Sequence, residues 1–240
     1  MTRRRWIADE ISGNRAIITG DHAKHLSRVL RARLGQEFDV VADGVVRRGR
    51  IIDLTGDSVQ FELGAEIAAA ATADLTLLLG IFKFDRLEWA IEKCTELGVS
   101  RMIPLIGRRT DAHLAAAAVK RVERWRRIAR QAAEQSRRSS PPEITAPLKL
   151  KDALTVCTGV RLVLSELETR PLFRDVLASR PTDGVSLAIG PEGGWTEDEL
   201  KSFCGSGWIP ASLGPTILRA ETAAIAATAI LLSQLPSDEK

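Results

Sequence analysis

From Leu75 onward the chain sets short, nearly unbroken apolar runs between longer amphipathic stretches, and this alternation leaves few folds open to it. The runs are Leu75-Thr76-Leu77-Leu78-Leu79, Met102-Ile103-Pro104-Leu105, Arg161-Leu162-Val163-Leu164 and Val185-Ser186-Leu187-Ala188-Ile189, with a shorter fifth at Trp208-Ile209 running toward Leu213. Strands without a polar face are buried on both sides. They belong in a mainly parallel α/β sheet, whose crossover helices cover both faces. Helices are predicted near residues 86–97, 119–135, 171–178, 197–204 and 220–232. The fourth opens at Thr196 with Glu199 three residues on, the spacing of a capping box. In the second, Val122, Trp125 and Ala129 share the inward face while Arg121, Arg124 and Arg127 point out, so Trp125 reads as core.

The first 63 residues follow a different rule. Ile17-Ile18, residues 38–41 and residues 59–63 are short β-rich runs, with turn signals at Asp43-Gly44 and Thr55-Gly56-Asp57. One helix interrupts them, from Asp21 as its cap to about Arg31, with Leu26, Val29 and Leu30 as its apolar stripe. Strands at this spacing predict a small barrel. The alanine-rich stretch 64–74 reads as a linker, which puts the domains at 1–70 and 75–240. No apolar run approaches the roughly 18 residues of a transmembrane helix. The arginine-rich start is not followed by an apolar stretch, so a secretory signal is not expected. Cys94, Cys157 and Cys204 are scattered, as reduced thiols of a cytoplasmic protein would be, and no metal site is expected.

The net charge of +3 conceals an uneven distribution. Residues 1–50 hold 11 basic and 6 acidic side chains, and residues 101–140 hold 11 and 3, whereas residues 51–100 hold 3 and 9. Two basic segments on an otherwise acidic chain fit a footprint for a polyanion; two solvated faces are the alternative. Arginine dominates both segments, and its planar fork suits phosphates.

Gly190-Pro191-Glu192-Gly193-Gly194 follows one apolar strand and precedes the capped helix. Glycines there let a ligand approach the backbone, and in open parallel sheets ligands bind beyond the carboxyl ends of the strands. The run matches neither GxGxxG nor a P-loop, which disfavours a nucleoside triphosphatase. A second strand-end loop, residues 212–219, leads into an alanine-rich helix near Glu221-Thr222, and a third begins at Ser165-Glu166. Such loops can enclose an adenosine moiety through N–H and C=O groups, or they can be plain connections.

The glycine run, residues 213–223 (LGPTILRAETA), residues 83–105 (KFDRLEWAIEKCTELGVSRMIPL), residues 123–138 (ERWRRIARQAAEQSRR) and residues 22–31 (HAKHLSRVLR) together resemble the RsmE family across nearly the whole chain. That family comprises SPOUT-class enzymes that methylate N3 of a uridine in 16S ribosomal RNA. The resemblance implies S-adenosylmethionine as cofactor, a C-terminal domain with a trefoil knot, a PUA-like N-terminal β-barrel that binds RNA, and a homodimer. Its cofactor loops correspond to Leu164, Ser165 and Glu166, to Gly190, Pro191, Glu192 and Gly193, and to Leu213, Gly214, Ile217, Leu218 and Arg219. One departure is visible: Thr216 stands where the family pattern has an arginine.

For methyl transfer to a uridine nitrogen, the proton on N3 must leave or the anionic base must be stabilised. Arg219 is the candidate cation for that anion, and Glu221 and Glu192 are candidate proton acceptors, Glu221 being equally suited to a helix start. His22, His25 and His113 lack metal-site spacing. His25, Arg28 and Arg31 at three-residue intervals, with Arg3, Arg4, Arg5 and Arg124, are the candidate RNA contacts. Two other classes remain open on the residues alone: a non-catalytic RNA-binding or ribosome-assembly protein, and an α/β enzyme acting on a small phosphorylated substrate.

Overall fold

The computed structural model describes residues 5–68, 73–166, 171–178 and 184–234. By internal contacts the chain divides into two units, residues 1–70 with 130–141 and residues 71–129 with 142–240.

The first unit contains β1 (Arg5–Ile7), β2 (Glu10–Ser12), β3 (Arg15–Thr19), a short helix α1 (Gly20–Lys24), a π-helical turn (His25–Val29), β4 (Glu37–Ala42), β5 (Val45–Leu54) and β6 (Ser58–Glu66). Its sheet order is β1-β4-β5-β6-β3-β2. The two ends of that order are neighbours in sequence. Between them the Ala8 N–H bonds the Val41 carbonyl (2.9 Å) and the Asp9 N–H bonds the Ile17 carbonyl (2.8 Å). The segment that follows the first strand thus bonds to both ends of this order and gives the sheet a barrel-like closure. Trp6, Ile18, Leu26, Ile51 and Phe61 fill it. Asp43 and Gly44 both take positive φ, 50° and 77°, as the two-residue hairpin between β4 and β5 requires.

The helix of this unit departs from its sequence pattern. Asp21 lies in the first turn after Thr19 and makes no capping bond, and regular α-helix ends at Lys24. Leu26 is buried, but Val29 and Leu30 are 66% and 48% exposed. In the π turn, with the Leu30 N–H bonded to the His25 carbonyl (2.9 Å), each residue rotates by less than in an α-helix. A stripe placed at 3.6-residue spacing therefore turns away from the core. Arg31 then takes φ 50° and leaves the helix altogether, so it does not share a helical face with His25 and Arg28. Part of the expected linker is also strand, since Glu66 pairs with Arg47; residues 69–72 lie outside the described residues.

The second unit runs β7 (Leu75–Gly80), α2 (Phe84–Leu97), β8 (Arg101–Ile106), α3 (Ala112–Gln135, of which residues from 130 on count with the first unit), β9 (Glu143–Ile144), β10 (Leu148–Lys149), α4 (Leu150–Thr155), β11 (Val160–Leu164), α5 (Phe173–Ala178), β12 (Val185–Ile189), α6 (Glu197–Gly205), β13 (Ile209–Ala211) and α7 (Ala220–Gln234). The sheet order is β10-β8-β7-β12-β11-β13, with β9 beside β8, and every pairing is parallel. Helix α3 starts seven residues before the expected 119, because Asp111 accepts the His113 N–H (2.7 Å) and caps the alanine run. The capping box at Thr196 and Glu199 is formed.

Strand alternation sends Leu75, Leu77 and Leu79 into one core with Ile91, Trp125 and Leu231, and Leu78, Ile103 and Ala188 into another with Trp195 and Phe203. Leu231 of the last helix is fully buried in this core.

Gly80 ends β7 where the next strand's loop crosses it. A Cβ there would lie 2.5 Å from the Pro191 nitrogen and 2.8 Å from the Gly190 carbonyl carbon, both backbone atoms that cannot swing aside. Gly80→Ala is expected to destabilise by about 1–3 kcal/mol. Gly205→Ala, which meets nothing within 4 Å, should be neutral or slightly stabilising. Thermal melting of both variants is the check, and equal melting temperatures would contradict this packing.

Candidate functional site

Strands β12, β11 and β13 are adjacent and parallel, so their carboxyl ends lie together and the loops leaving them meet. They enclose a cavity of about 360 Å³ bordered by residues 164–166, 189–192, 194 and 212–220, by Ala223 and by Arg86 of α2. The three loops picked from sequence therefore share one space. Gly193 alone among the expected cofactor-loop positions lies off it; its carbonyl accepts a bond from Arg109 Nη1 (2.7 Å). Leu167 and Glu168, at the far end of the third loop, lie outside the described residues.

An aromatic column supports the glycine loop. Trp195 is buried, donates its indole N–H to the Leu164 carbonyl (3.0 Å) and sits edge-on to Phe203 at 4.9 Å, which in turn meets Trp208 at 5.1 Å. A Cβ on Gly190 would press on the Trp195 ring at 3.3 Å. Gly194, at φ +68°, leaves room for the Glu166 carboxylate at the cavity edge. Trp195 is thus a fixed support, with no face free for a base.

In the second loop Ser212 closes a tight turn, its hydroxyl accepting the Gly214 N–H (3.2 Å) and donating to the Gly214 carbonyl (3.1 Å). Ile217 and Leu218 then border the cavity 84% and 36% exposed. Two large apolar side chains held beside a cavity suit an apolar ligand surface. Arg219 is exposed and forms no ion pair among the described residues. Its carbonyl accepts the Ala223 N–H (2.8 Å), which puts the residue at the start of α7. A cation is disfavoured there by the helix macrodipole, so local stability does not account for it.

Arg86 was not singled out from sequence, because a lone arginine on an amphipathic helix carries no signal. Its Nη1 lies 2.8 Å from Glu192 Oε1, and its Nε lies 3.8 Å from Glu221 Oε1. Glu221 is 4% exposed, does not border the cavity, and its Oε2 has no hydrogen-bond partner among the described residues. One guanidinium therefore stands in the cavity wall between the glycine loop and the start of α7.

The other sequence candidates are more dispersed. Arg124 forks Glu88 with two bonds of 2.8 Å, and Arg121 joins that carboxylate at 3.2 Å. Arg5 donates to the Arg137 carbonyl, and burial lowers its pKa first, with the charge of Arg137 adding to that. His25 lies against Trp6 with ring centroids 5.8 Å apart, while Arg28 is exposed; Arg3 and Arg4 lie outside the described residues. His22 contacts the buried Glu134 at 2.9 Å. Burial pushes the Cys94 thiol up to about 12, which leaves it unreactive. Among the described residues no cluster of His, Cys, Asp and Glu is arranged to hold a metal, and no helix is long and apolar enough to cross a membrane.

Residues 70–232 match the family described as RNA methyltransferase domain, and residues 18–64 match the RNA methyltransferase PUA domain. The chain is 33% identical over 225 residues to the ribosomal RNA small subunit methyltransferase E of a Synechocystis strain, covering 92% of this chain and 73% of that one. The chain belongs to the ribosomal RNA small subunit methyltransferase E family. The Bacillus subtilis member is 31% identical over 90% of this chain and 89% of its own. The family's fold is shared as well. A crystal structure of the Neisseria gonorrhoeae member bound to S-adenosyl methionine superposes with a TM-score of 0.84 at 27% identity, covering 96% of this chain and 97% of that one.

Removing Arg86 leaves Glu221 buried without its cation. Arg86→Ala is expected to cost on the order of 1–3 kcal/mol, and adding Glu221→Gln should recover much of it. Chemical denaturation of the single and double variants measures this. A strictly additive double variant would show that the two side chains do not depend on each other.

Proposed function

We propose that this protein transfers a methyl group from S-adenosylmethionine to N3 of a uridine in 16S ribosomal RNA. The cavity formed by three strand-end loops carries the reading. It offers the backbone donors, acceptors and apolar cover that an adenosine-bearing cofactor requires, in a chain similar from end to end to a relative crystallised with S-adenosyl methionine. When bound, that cofactor supplies a methyl group on a positively charged sulfur.

The chain's own residues then divide the task. Loops 164–166, 190–194 and 213–219 hold the donor, and Ile217 and Leu218 cover its apolar surface. Glu166 and Glu192 set negative charge at the rim of a site meant for a cation. Arg219, without an ion pair among the described residues and beside the cavity, stabilises the uracil ring as negative charge develops on it. Glu192 borders the cavity and is the carboxylate placed to receive the N3 proton. Glu221, behind the wall, acts through Arg86 as a positioning residue. The first domain, residues 1–70, presents Arg5, His25, Arg28 and Arg31 to RNA. Residues 75–240 form the SPOUT domain, with the three loops as its trefoil knot. Thr216 leaves Arg219 as the cation of the second loop. The enzyme works in the cytoplasm as a homodimer. A purely RNA-binding role would leave the cavity without a purpose.

The test uses purified protein, methyl-labelled cofactor and 16S ribosomal RNA or small subunits from cells lacking the enzyme, followed by nucleoside mass analysis. N3-methyluridine is the expected product, and its absence would overturn the assignment. Arg219→Ala should lower the rate at least about 100-fold while cofactor affinity, measured by calorimetry, changes little. A variant with near-normal turnover would remove Arg219 from this role.

A further inference from the structure

The basic segment 101–140 looked from sequence like a polyanion footprint along a helix. In the structure most of its cations are already paired: Arg101 with Glu143 (3.1 Å), Arg121 and Arg124 with Glu88, Arg126 with Glu123 (2.7 Å), Arg130 with Asp9 (2.7 Å) and Arg137 with Asp39 (3.3 Å). A guanidinium fixed on a carboxylate has less to offer a phosphate. Arg108 of this segment is not paired in that way, and it borders a cavity together with Lys149 and Lys151.

A second cavity, of about 570 Å³, opens between the carboxyl end of β8, the start of α4 and one side of α6. Arg108, Lys149 and Lys151 border it, all exposed, and none forms an ion pair among the described residues. Two carboxylates also border it. Glu199 is spent locally: Oε1 accepts the Arg108 backbone N–H (2.7 Å), and Oε2 accepts the Thr196 N–H and hydroxyl (both 2.9 Å). Asp198 is exposed at the start of α6. The cations outnumber the carboxylates, and the fixed acid holds the loop that presents Arg108.

The position of this cavity matters as much as its charge. Every strand of the sheet runs the same way, so the ends of β8 and β10 lie on the edge that carries the first cavity. One loop connects the two sites. Arg109 donates to the Gly193 carbonyl of the glycine loop (2.7 Å), while Arg108, one residue earlier, borders the second cavity.

We propose that this second cavity holds backbone phosphates of the RNA strand flanking the target nucleotide, with Arg108, Lys149 and Lys151 as its contacts. The inference rests on the reading of RNA as substrate. It adds a phosphate subsite on the catalytic unit, separate from the barrel.

The experiment compares the full-length protein with Lys149→Ala/Lys151→Ala, Lys149→Arg/Lys151→Arg and, as a control, Lys120→Ala, an exposed cation of α3 away from the cavity. Binding of 16S ribosomal RNA is measured across a salt series, with S-adenosylmethionine affinity and melting temperature alongside. The double alanine variant should lose about tenfold in RNA affinity at low salt, and its log–log salt slope should flatten by about 1.5, since each lost phosphate contact removes about 0.7–0.9. The arginine variant should restore both values, and cofactor affinity and melting temperature should not move. An unchanged slope in the double alanine variant, or an equal loss in Lys120→Ala, would overturn this subsite while leaving the substrate reading intact. Failure of the unaltered protein to bind ribosomal RNA at all would overturn both.

Discussion

The shared direction of the strands in the second unit governs what the rest can do. Parallel pairing forces each connection to return across a face of the sheet, so every strand delivers its carboxyl end to the same edge. Three loops from neighbouring strands then meet without any special side chain to bring them together. Closeness is the remaining difficulty, and glycine resolves it at two points. Gly80 allows Pro191 to pass directly over the end of β7, and Gly194 makes room for Glu166. The aromatic column of Trp195, Phe203 and Trp208 then fixes the height of the loop by tying it to the Leu164 carbonyl.

Charge at this edge is arranged on the same scaffold. The Arg86–Glu192 pair is about one-third exposed on each side, so it contributes little to folding by itself. Its consequence lies in placement, since it puts a cation in the wall of the cavity and a carboxylate on the glycine loop. Glu221 is different, because a carboxylate buried at a helix start needs a partner and Arg86 is the cation nearest its Oε1. Arg219 stands apart from both. It has no partner among the described residues and sits at the unfavourable end of a helix, which is how a group kept for a substrate is expected to look.

Continuous apolar strands, the glycine run, the Thr196–Glu199 cap and the Asp43-Gly44 turn were all legible in sequence, because each depends on local chemistry. Convergence of loops 164–166, 190–194 and 213–219 was also anticipated, as it follows from parallel pairing. What escaped is non-local. The π turn at His25–Val29 replaced an expected α-helical stripe, since sequence periodicity does not register a change of hydrogen-bond pattern. Arg86 gained its place from Glu192 and Glu221, more than 100 residues away in sequence. Arg124, singled out for RNA, is held by Glu88 of another helix, and charge counting along the chain does not see such pairs.

The central claim is that the cavity at the strand ends receives the methyl donor and no phosphorylated nucleotide in its place. Isothermal titration of the purified protein with S-adenosylmethionine, and separately with a nucleoside triphosphate, addresses it directly. One cofactor bound per chain, with no measurable heat from the triphosphate, is the predicted result. Binding of the triphosphate without S-adenosylmethionine would contradict it.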